Sequence, residues 1–198
     1  MMRRQRTAFA RRGPLLGLAS LLIVVGLFSG GGCTYRPPSE TFSKYPPREK
    51  KLDLKVALDL SRPLSLPKWE SYMPVKDALE RNSLALARHV FGDVSQAAPS
   101  SAEPAAAEAV LSPQLLYFVR TTPASGPAES IIAIKVEWVL RRPDGQLIWV
   151  QTVGGESRGT GFSDPTEMLG AALEDLFLRS EQAMVETPVI RQVVRRGP

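Results

Sequence analysis

The sequence predicts an α+β fold: a single antiparallel or mixed sheet of about four strands with two amphipathic helices on one face, in the order β-α-β-β-β-α. Three observations carry this. Leu52, Leu54, Val56, Leu58 and Leu60 alternate with Asp53, Lys55, Ala57 and Asp59, the period of a strand with one buried face. Two later segments repeat apolar residues at helical spacing. Between them, two apolar runs flank Pro143, Asp144 and Gly145, a turn signal between strands.

After the first strand, Pro63 and Pro67 mark a loop carrying Trp69. Pro74 suits a first helical turn, and Val75, Ala78, Leu79, Leu86, Val90 and Phe91 make the stripe of a helix running up to Gly92. Residues 95–113, rich in Ala, Ser, Pro and Glu, read as a low-complexity connection. Residues 114–121 resume as a strand, and 122–130 as a loop. The runs 131–141 and 146–153 form a hairpin. A three-residue loop sets Leu140 opposite Ile148, Trp138 opposite Val150 and Val136 opposite Thr152, which keeps one face apolar. Residues 154–161 read as a flexible loop. Asp164 then caps a second helix, with Pro165 at its first position and Glu167 completing a capping box. Its stripe is Leu169, Ala172, Leu173, Leu176, Phe177 and Met184, and Thr187 with Pro188 stops it. Val189 and Ile190 suit an edge strand, before a disordered end.

Ahead of all this, Arg3, Arg4, Arg6, Arg11 and Arg12 precede an apolar run over 15–28, which closes on Gly30, Gly31, Gly32 and Cys33, the one cysteine of the chain. This arrangement resembles a bacterial lipoprotein signal, in which the cysteine is acylated and becomes the first mature residue; Gly30 stands where that pattern usually has Leu. Fourteen residues of helix span about 21 Å, short of a bilayer core of roughly 30 Å. The resemblance implies a membrane partner through acyl chains on Cys33. Thr34 follows the cysteine, where retention in the inner membrane is often marked by Asp, so it implies the periplasmic side of an outer membrane in a host that has two. The expected layout is a signal peptide over 1–32, lipidated Cys33 with a Pro-rich tether over 33–51, one α/β domain over 52–190, and a basic disordered tail over 191–198. As an extended tether, residues 34–51 would reach about 55 Å.

The formal charge of +5 belongs to the leader: beyond residue 32 there are 20 basic and 20 acidic residues. That balance removes the electrostatic case for nucleic-acid binding. Basic groups remain at Arg48, Lys50 and Lys51 and at Arg191, Arg195 and Arg196, ordinarily a solvated surface. With one cysteine no internal disulfide forms.

Catalytic patterns are thin. Gly155-Glu156-Ser157-Arg158-Gly159 matches the G-x-S-x-G nucleophile elbow, yet the elbow needs its helix to start at the serine, and here cap and proline place the start near 165. The single histidine, His89, precedes the serine, the reverse of that fold's order. Thr160 stands where a phosphate-binding loop would need lysine. His89 with Asp93 falls short of a metal set and reads as a helix-end side chain. Glu174 and Asp175, adjacent on a helix, point apart and make no acid–base pair. No catalytic residue, metal site or cofactor is expected. The remaining candidate is a binding surface on the sheet face away from the helices, with Val139 and Trp149 as a cross-strand pair among Lys135, Glu137, Arg141 and Gln151.

Strand, helix, strand, hairpin and helix behind a lipidated cysteine is similar to the pattern of small envelope lipoproteins. These include auxiliary lipoproteins of ABC-type transport systems and lipoproteins related to curli assembly and to penicillin-binding-protein activators. The nearest local likeness is Asp144-Gly145-Gln146-Leu147-Ile148-Trp149, a pattern that carries over no functional residue. The resemblance implies a non-catalytic accessory lipoprotein that binds an envelope protein. A serine hydrolase using Ser157 and a lipid or glycan carrier are the alternatives.

Overall fold

A computed structural model describes residues 41–46, 48–61, 75–97, 107–121, 129–160 and 163–196. The leader, Cys33, the Trp69 loop, the Ala-rich stretch and the 122–128 loop lie outside the described residues. The fold is α+β, with one mixed five-stranded sheet rather than about four strands. The strands β1 (Leu52–Leu58), β2 (Phe91–Gln96), β3 (Ala109–Thr121), β4 (Glu129–Arg141) and β5 (Leu147–Thr160) lie in the order β2-β1-β3-β4-β5. β1 pairs in parallel with β2 and β3, while β3, β4 and β5 are antiparallel neighbours. Helices α1 (Val75–Val90), α2 (Pro165–Glu186) and α3 (Pro188–Arg196) complete it, after a short 3-10 turn at Thr41–Lys44.

One core joins the sheet to the helices. Leu54, Val56 and Leu58 of β1 and Ile132, Ile134, Val136, Trp138 and Leu140 of β4 are buried, alternating along their strands as the period demands. Against them pack Val75, Ala78, Leu79, Leu86 and Val90 of α1 and the expected stripe of α2, every member of which is buried. Trp138 meets Phe177 edge-on, with ring centres 6.2 Å apart, and its Nε1 donates to Ser180 Oγ at 2.9 Å. The bulkiest fully buried side chain thereby keeps its polar atom satisfied. Asp164 caps α2 and Pro165 opens it, as read: Asp164 Oδ1 accepts from Thr166 N at 2.7 Å.

Four expectations are corrected. Phe91 opens β2 instead of ending a helix, and 91–96 is a strand held by its pairing with β1. Residues 154–160 extend β5. Val189 and Ile190 lie in α3, with Ile190 buried, and the helix continues to Arg196 where disorder was expected. The later part of the expected 33–51 tether packs on the domain instead: Phe42 is buried in the core and Thr41 N donates to Asn82 Oδ1 of α1 at 2.7 Å. Lys44 and Tyr45 reach Glu174, and Arg48 reaches Glu181. Residues 41–46 and Arg48 thus form a strap across the helices. The rest of the expected tether, residues 34–40, lies outside the described residues.

Candidate functional site

The hairpin decides what each face of the sheet presents. Its three-residue turn is as read: Arg142 N bonds to Gln146 O at 2.8 Å, and Gly145 has φ +89°, a left-handed conformation that glycine adopts without strain. Arg141 pairs with Leu147 in the expected register, but a bulge then places Trp149, not Ile148, opposite Leu140. One extra residue moves every later side chain of β5 to the other face. Val136 consequently faces Val153, Trp138 faces Gln151, and Val139 faces Val150.

This corrects the candidate surface. Trp149 is buried in the core beneath the helices, so it cannot pair with Val139 on the far face. Val139 does lie on the far face, but it is only 3% exposed, beside its buried partner Ser112. Arg141 is half-buried, and its Nε is shielded with no hydrogen-bond partner. Of the four residues, Lys135 alone is exposed.

What surrounds Lys135 was not read from the sequence. β3 carries its own bulge at Leu116, between the pairs Leu115–Val136 and Tyr117–Lys135. The bulge leaves Leu116 49% and Tyr117 46% exposed, and Lys135 Nζ sits 5.9 Å from the Tyr117 ring centre, within cation–π range. The run Leu115-Leu116-Tyr117-Phe118 breaks strict alternation, and that break was the available signal. Further along the face, Arg158 bonds Glu156 at 2.6 Å and Glu129 at 3.1 Å. Both carboxylates, Glu156 first, hold its proton more firmly than usual. A cleft of about 470 Å³ opens over Gly154 and Gly155, between Lys135 and the Asp175–Arg179 ion pair.

Ser157 and His89 are placed apart in their contacts. Ser157 Oγ donates to Met168 O of α2 at 2.6 Å. His89 stacks on Phe42, with ring centres 4.7 Å apart, and its Nε2 lies 3.5 Å from Glu181 Oε1. It lies in the last turn of α1, as read, with the strap and a carboxylate as its neighbours. Glu174 and Asp175 diverge: the first meets Lys44 and Tyr45, the second Arg179 and Glu156 N. The Glu174 carboxyl is held below its ordinary range, chiefly by the Tyr45 hydroxyl; burial opposes this, and Lys44 adds to the lowering. Among the described residues, no group of three or more His, Cys, Asp or Glu side chains could hold a metal ion. Among the same residues, no helix is long and apolar enough to cross a membrane.

No family model matches this sequence, and a comparison with curated proteins finds no match. Solved structures similar to it include a Xanthomonas campestris protein of family DUF330, at 13% identity and TM-score 0.47, covering 76% of this chain and 94% of that one. PelC from Paraburkholderia phytofirmans, solved as a dodecamer, is 19% identical with TM-score 0.40, over 66% of this chain and 91% of that one. Lipoprotein GNA1162 from Neisseria meningitidis is 12% identical with TM-score 0.35, over 65% and 99%.

Proposed function

We propose that this chain is a lipid-anchored, non-catalytic accessory lipoprotein of a bacterial envelope assembly. On this reading the sheet face around Leu116, Tyr117 and Lys135 is offered to a protein partner in the periplasm. The observation that carries the binding surface is the Leu116 bulge, which leaves two large apolar side chains about half exposed beside a cation. An aromatic with a neighbouring charge is a common anchor at protein interfaces. The anchor rests on the leader that ends at Cys33. Several acyl chains hold a protein to a bilayer stably where one alone is marginal.

Two experiments test the two halves separately. Mass spectrometry of the mature amino terminus is expected to find acylated Cys33; an intact leader would overturn the anchor. Crosslinking in intact cells followed by capture is expected to recover an envelope protein, and the yield should fall on Leu116→Glu or Tyr117→Ala. A yield unchanged by both substitutions would reject the surface. The hydrolase alternative has its own test, because a serine-reactive fluorophosphonate that labels this chain and fails to label Ser157→Ala would favour it.

A further inference from the structure

Among the described residues, no further strand pairs with the outer edge of β5. β5 is the last strand of the sheet, and in an antiparallel ladder the N–H and C=O groups of alternate residues point to the same side. Glu156 N points away from β4, because it donates to Asp175 Oδ2 at 3.1 Å, and Thr160 N does the same toward Ser163 Oγ at 2.9 Å. The register is unbroken back to Val150, so Val150, Thr152 and Gly154 also direct their backbone groups outward. Among the described residues nothing bonds those three N–H groups. Thr152 O has only a 3.5 Å contact from the neighbouring Gln151 side chain.

We infer that this edge pairs with the same edge of a second copy of the chain, antiparallel about a two-fold axis at Thr152. The open window is bounded by Asp175 at Glu156 and by the bulge at Ile148, so it extends similarly on either side of Thr152. The pairing sets Thr152 against itself and Val150 against Gly154 of the second copy. Val150 is 46% exposed and projects on the face where Gly154 leaves the cleft of about 470 Å³. A side chain at Gly154 would meet only Lys135 Cγ at 3.5 Å and Ile134 O at 3.6 Å, so packing within the chain does not require glycine there. The valine of each copy fits the gap in the other. Charge agrees: residues 150–154 are all uncharged, whereas a two-fold contact sets any charge near its own like, and sheet edges are ordinarily guarded by charges.

The test is disulfide formation by the full chain carrying Thr152→Cys, in membranes under mild oxidation, with the unmodified chain as the blank for Cys33. Paired residues that exchange both hydrogen bonds have Cα atoms about 5.5 Å apart, inside the disulfide range. A covalent homodimer is expected at roughly ten times the yield of Arg81→Cys, an exposed position on α1. Adding Gly154→Val or Val150→Ser should cut that yield several-fold while the melting temperature holds. Equal yields from positions 152 and 81, insensitivity to both added substitutions, or an adduct with a different protein would each overturn the pairing.

Discussion

β4 serves two faces of one sheet, and they differ in what fixes them. Toward the helices, Ile132, Ile134, Val136, Trp138 and Leu140 are at most 1% exposed. Their neighbours leave no slack, so volume and shape are constrained there. On the other side Ile131, Ala133 and Glu137 are half-buried and Lys135 is exposed, and the bulge in β3 pushes Leu116 and Tyr117 outward beside it. Where nothing packs, an exposed apolar side chain adds little to stability and can be given over to recognition. The covered face should answer mutation with unfolding, the other with loss of binding.

Trp138→Ala should break the covered face most severely. It empties a fully buried site and is expected to cost about 4 kcal/mol in urea denaturation; a loss under about 1 kcal/mol would mean the packing does not carry the fold. Gly155→Ala sharpens the contrast within two adjacent residues. A Cβ there would collide with Ala172 O and Leu176 N, both backbone atoms of α2. The helix would have to shift, at about 2 kcal/mol, whereas Gly154→Ala should stay within about 0.5 kcal/mol.

A smaller effect lies in the strap over the covered face. The Glu174 carboxyl is held below its unfolded value of 4.5, so its contribution is present above that value and fades as pH falls through the lower folded one. The Tyr45 hydroxyl, raised above 10.0 chiefly by the same bond, contributes below that value and fades as pH rises past the folded one. The stability difference between the unmodified chain and Tyr45→Phe should therefore be flat from about pH 6 to 9 and shrink toward either extreme. A difference that grows on acidification would contradict the geometry.

Much of the covered face was legible from the residues. The β1 alternation, both helical stripes, the Asp164 cap and the Gly145 turn follow from period and local chemistry, and these act within a few residues. Three parts were not, for separate physical reasons. β2 offers only Phe91 and Val94 as apolar residues, with Gly92 and Asp93 between them, so it is a strand through its pairing with β1 rather than through propensity. α3 did carry a helical signal in Val189, Ile190, Val193 and Val194, but valine and isoleucine favour strands and masked it. The hairpin register turned on a bulge that Ile148 and Trp149, both apolar, cannot declare, since either could point inward. That one residue moved Trp149 into the core. It left Lys135 as the exposed member of the expected set, with its neighbours Leu116 and Tyr117 still to be found.

Tyr117→Ala is expected to change stability by no more than about 0.5 kcal/mol. The most direct comparison of the two sides of the molecule places a photo-crosslinking amino acid at Tyr117 or at Arg81, the exposed α1 position on the helical side, in cells making the full chain. A discrete adduct with an envelope protein is expected from position 117 and not from position 81. An adduct from position 81 alone, or none from position 117, would contradict the assignment of recognition to the sheet face.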